Sequence, residues 1–191
     1  MTARALGAML QARLYVSRRF LLYACAVAVF VALVAPLGVT APLLCCSFLS
    51  IAIALDQTPG RHRHLDRCEQ SAPLFGRELA RAKALVPCIA ALLATLLYAC
   101  AQVARGSPDA PLTLLVVPPA VIATTLVALS ATVRTGATRV LYVLLAAGTS
   151  AIAYVLAIVG RSAAAEFAFC VLIAFLALRQ YGETLARYDP I

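Results

Sequence analysis

One short run, HRHLDRCEQ, brings both histidines of the chain, His62 and His64, together with Asp66, Cys68 and Glu69. Histidine, cysteine and carboxylate are the usual ligands of zinc. The order argues against that use, because His62-x-His64-x-Asp66 puts successive ligands two apart, and residues two apart on a helix do not share a face. No cysteine pair has the C-x-x-C spacing, and no G-x-x-x-x-G-K-[ST] phosphate loop occurs. Thr95, Thr124, Thr125, Ser130, Thr132, Thr149 and Ser150 stand in apolar runs with no histidine or lysine beside them to act as base. They read as helix-packing hydroxyls. Glu166 is the acid closest to the interior of an apolar run, and reads either as an interfacial carboxylate facing water or as an exit gate.

The elements that must position these residues are oily. The chain is 63% hydrophobic with a mean hydropathy of +0.94, far above the roughly 45–50% apolar content of a soluble domain. A membrane span needs about 20 mostly apolar residues, and the charge-free runs have room for about six. The spacing predicts an all-α polytopic membrane protein with spans over 20–36, 39–55, 84–104, 112–133, 140–159 and 163–178. Phe20–Leu55 carries no charged residue until Asp56, and as one helix it would be about 54 Å long. Pro36, Gly38 and Pro42 break it into a tight hairpin. Residues 1–19 carry four arginines and no acid, with Leu6, Leu10 and Leu14 recurring every fourth position. They read as an amphipathic helix lying on the membrane surface. Pro118-Pro119 marks a bend in the fourth span, and 179–191 is a polar tail.

A net charge of +8 raises the question of nucleic acid. No basic face with aromatic or amide readers is visible, and the arginines instead flank the apolar runs. With six spans and both termini cytoplasmic, only Arg105 and Arg161 of the sixteen basic residues fall outside. That is the asymmetry of the positive-inside rule. Six of the seven cysteines lie in apolar runs, where cysteine acts as a small hydrophobe.

The long polar interval is 56–83, so a soluble partner must grip the chain largely there. Pro73 suits a first helical position. Beyond it Phe75, Leu79, Ala82 and Val86 make an apolar stripe, with Arg77 and Arg81 on another face. This predicts an amphipathic helix running straight into the third span. Asp56, Gly60, Leu65, Pro73 and Lys83, with Arg77-Glu78 between the last two, stand where ABC exporter permeases of the second type carry their loop motif. With the spans and the basic leader, the chain resembles that family over most of its length. It departs in a longer Gly60–Pro73 interval and in a link between the fifth and sixth spans too short for re-entrant exit helices.

The resemblance implies a non-catalytic half-transporter in a bacterial plasma membrane, paired with a second permease subunit, identical or not. It implies a separate ABC-type ATPase that holds ATP and magnesium, this chain binding no cofactor. His62, Arg63, His64, Leu65, Asp66, Arg67, Cys68 and Glu69 would form the coupling helix in the ATPase groove. Alternating access would move a hydrophobic or amphipathic substrate. The same residues also admit a non-transporting membrane scaffold that docks through the loop, or a small secondary transporter, which the lack of mid-span charges disfavours.

Overall fold

No glycine or proline interrupts the chain between Ala8 and Val34, so nothing there can stop a helix. In the computed structural model, which describes residues 3–36, 38–58 and 76–187, this stretch is one helix, α1 (Ala3–Val34). The separate surface helix expected over 1–19 is therefore not a separate element. Arg18 and Arg19 carry charge, but charge does not end a helix. Both are exposed, and the Arg18 guanidinium lies 4.0 Å from the centroid of the Tyr15 ring, one turn nearer the N-terminus.

The expected hairpin follows. Gly38, at φ 141, takes a backbone conformation that a side chain would resist, and α2 (Thr40–Asp56) returns. α3 (Gly76–Ala104) is continuous from the amphipathic segment through Pro87 to the end of the third apolar run. α4 (Ala110–Thr132) passes through Pro118 and Pro119 as one helix. α5 (Gly136–Tyr154) leads into a π-helical turn, Val155–Val159. α6 (Ala163–Arg187) carries on well past the expected end of the sixth span at 178. Among the described residues there is no strand. Five helical stretches, Leu10–Val34, Ala80–Ala104, Ala110–Thr132, Gly136–Val159 and Ala163–Leu185, are long and apolar enough to cross a membrane. The fold is consistent with a multi-pass membrane protein. α2 has the same apolar character but only 17 residues, about 25 Å of helix.

Apolar residues surround α4 on every side, and a helix of that kind belongs inside. It packs against α2, α3, α5 and α6, and every residue from Ala123 to Thr132 is buried. α1 lies outside this group and packs chiefly on α3. Its ridge of Ala24, Ala28 and Ala32 is buried, and Ala24 and Ala32 share a cluster with Ala90 and Ala91 of α3. Small side chains at such a seam let two backbones approach closely. The interior hydroxyls behave mostly as packing groups. Thr95, Thr125 and Thr149 each donate to the carbonyl four residues earlier. Ser150 Oγ instead donates across to Ser47 Oγ at 2.7 Å, joining α5 to α2.

The link from the π-helical turn to α6 is only Gly160-Arg161-Ser162. Gly160 N–H donates to the Val155 carbonyl at 2.7 Å, and a Cβ there would come within 2.9 Å of the Leu156 carbonyl oxygen. Gly148, inside α5, has open space where a Cβ would go. Gly160→Ala should therefore lower the thermal unfolding midpoint. Gly148→Ala should raise stability by about 0.4–1 kcal/mol through helix propensity and unfolded-state entropy. Thermal scans of both variants in one detergent check the contrast.

Candidate functional site

Polar side chains gather at the two ends of the bundle. The end formed by the last turn of α2 and the start of α3 brackets the polar interval. Asp56 and Lys83, its flanking residues, are both buried, at 4% and 8% exposure. Beside them Arg13 of α1 is almost sealed, at 1%. Its Nη1 donates to Gln57 Oε1 at 2.7 Å, and Gln57 Nε2 donates to Ser17 Oγ at 3.1 Å. Arg13 and Ser17 are one turn apart on α1, so both reach the same neighbour.

The other helices close onto the same layer. Arg139 of α5 donates to Thr58 Oγ1 at 3.4 Å. Arg134, just past α4, sets its guanidinium 3.8 Å from the centroid of the Tyr142 ring. It also donates to the Ser130 carbonyl and, at 3.2 Å, to Thr184 Oγ1 of α6. A charge taken out of water needs such partners. The layer thus fixes both flanks of the polar interval to the body of the bundle.

Of the residues singled out from sequence, Asp56 and Lys83 are brought to this layer. Arg77 and Glu78 lie in the first turn of α3, with their side chains outside the described residues. Gly60, Pro73 and the run His62, Arg63, His64, Leu65, Asp66, Arg67, Cys68 and Glu69 also lie outside them. Arg13 and Gln57 were missed. Arg13 read as one of several leader arginines, and its partner is 44 residues away. The one available signal was the four-residue spacing to Ser17.

At the opposite end, Arg105 Nη1 donates to the carbonyls of Ala32 and Ala35, both at 2.7 Å. Gln102 Nε2 donates to the Gly38 carbonyl at 3.0 Å. These bonds satisfy carbonyls that α1 and its turn leave without helical partners. Glu166 sits in the first turn of α6. Its side chain is packed into the bundle, with Glu166 only 1% exposed. The Cys170 thiol donates to its Oε1 at 3.1 Å. Ser162 Oγ accepts from the Ala165 N–H at 3.2 Å and caps the helix.

A groove of about 170 Å³ opens on the flank of the bundle, lined by Val127, Tyr142, Leu145, Thr149, Ile173, Leu176, Ala177 and Gln180. Among the described residues no group of three or more His, Cys, Asp or Glu is placed to hold a metal ion. Comparison with family models, curated proteins and solved structures gives no match.

The buried layer makes a direct prediction. Gln57→Leu removes the acceptor that Arg13 uses and should destabilise by about 1–3 kcal/mol. Gln57→Glu keeps an acceptor and should lose less. Denaturant titration in mixed micelles measures both.

Proposed function

We propose that this chain is the transmembrane permease subunit of an ATP-driven ABC exporter, working with a separate ATPase and a second permease subunit. The observation that carries this reading is the anchoring of the polar interval. Its flanking residues Asp56, Gln57 and Lys83 are buried in a layer shared with Arg13 and Ser17. Force applied to the loop by a soluble motor is then delivered to α1, α2 and α3 together rather than lost in a slack connection.

In this reading α2 completes six spans, the Asp56 end faces the cytoplasm, and the ATPase receives His62–Glu69. The centre is filled by α4, whose half nearest the Asp56 end is buried all round. The substrate path accordingly lies between two subunits. α1, α5 and α6 keep large apolar side chains exposed, among them Phe30, Leu144 and Phe175. These faces meet lipid and the second subunit. The cycle is alternating access of a hydrophobic or amphipathic substrate, with ATP and magnesium on the partner.

One observation favours the scaffold reading instead. Only Gly160-Arg161-Ser162 separates the π-helical turn from α6, leaving no room for exit helices. A mild-detergent pull-down from native membranes separates the two. The exporter reading expects a stoichiometric P-loop ATPase, lost together with its stimulation in the Arg63→Glu, Arg67→Glu double variant. Co-purification of membrane or structural proteins alone, with no ATPase, supports the scaffold.

A further inference from the structure

The Glu166 end holds a set of buried oxygens that the exporter reading does not use. Glu166 is 1% exposed, and among the described residues its carboxylate is met by one polar group, the Cys170 thiol. Three more oxygens at this end are buried without a hydrogen-bond partner: Gln102 Oε1, Ser107 Oγ and Thr113 Oγ1. Gln102 is 1% exposed and Thr113 0%. An orphaned buried polar atom is costly, and a buried carboxylate without a counter-charge is more so.

Helix register brings these groups to one level. Cys170, Tyr98 and Val117 belong to a single buried cluster joining α6, α3 and α4. One turn nearer this end, on the same faces, Cys170 leads to Glu166, Tyr98 to Gln102 and Val117 to Thr113. All three lie within about a turn of their helix ends, and Ser107 is in the loop joining α3 to α4. α6 packs on both α3 and α4.

We propose that Glu166, Gln102 and Thr113, with Ser107 beside them, form a binding site for a desolvated monovalent cation of sodium or potassium type. The donor set decides the class. One carboxylate among neutral oxygens balances a single positive charge, and hard cations take oxygen ligands, whereas zinc and copper favour nitrogen and sulfur. The first turn of α6 and the Cys170 thiol both turn partial positive charge toward the carboxylate. The basic side chains at this end are otherwise placed: Arg105 is exposed and bound to α1 carbonyls, and Arg161 is exposed. Bound there, the cation would join the ends of α3, α4 and α6. The site stands independently of the exporter reading.

Thermal unfolding of the full-length protein in nanodiscs tests it, with NaCl or KCl replacing choline chloride at constant pH and ionic strength. One of the two cations should raise the midpoint saturably, by about 5 °C or more at a hundredfold excess over its Kd. Thr113→Val, which keeps shape and loses the oxygen, should weaken the apparent affinity about tenfold. Glu166→Gln should abolish the response. If Glu166→Gln does not fold, the wild-type and Thr113→Val titrations decide the matter. The same wild-type midpoint in all three salts, or an unshifted titration in Thr113→Val, overturns the site. So does a wild-type midpoint that follows pH but neither cation, since the occupant would then be a proton.

Discussion

Between Ala123 and Thr132 the fourth helix has no exposed residue, so each of its sides must be met by a neighbour. α2, α3, α5 and α6 supply those neighbours, and their arrangement follows from that single requirement. Surrounded by lipid, apolar side chains gain little by leaving one oily surface for another. What holds the group together is close contact between small residues and a few bonds that cross between helices. Most interior hydroxyls are spent on their own helix. Ser150 to Ser47 is a true cross-link, and Ser130 adds a long contact to the Ala177 carbonyl at 3.4 Å.

Strong polar interactions are confined to the two ends, and the ends differ in kind. At the Asp56 end arginines from α1, α5 and the α4–α5 link find side-chain or carbonyl partners. At the Glu166 end Arg105 and Gln102 stabilise the exit of α1, while a carboxylate and three other oxygens are sealed in with few partners. The first pattern is that of a rigid attachment. The second leaves buried acceptors short of donors.

Much of the helical framework was legible because its signals are local. The charge-free length of 20–55 with its glycine and prolines marked the hairpin, and the stripe through Ala82 and Val86 marked a helix entering the third apolar run. Ala82 and Val86 are indeed buried, while Arg81 is exposed. The helix does not end at residue 19, because the arginines there mark an end of the membrane segment and not an end of the helix. Only the first of those is a matter of charge. Glu166 was placed near a helix end correctly, yet its burial depends on α3 and α4, which no local pattern encodes. The pairing of Arg13 with Gln57 is likewise a property of the packed bundle.

The brevity of α2 has a consequence for the surrounding lipid. Its 17 residues span about 25 Å, against about 37 Å for a 25-residue stretch such as Leu10–Val34 or Ala80–Ala104. Leu44 and Phe48 of α2 face outward, so the apolar belt of the bundle is uneven in height. With α2 as the sixth span of the exporter reading, a bilayer of uniform thickness cannot match both sides: it must thin beside α2, or the longer helices must tilt. Either adjustment makes the shape of the bundle depend on acyl-chain length, so that the membrane itself acts on the protein as a mechanical load.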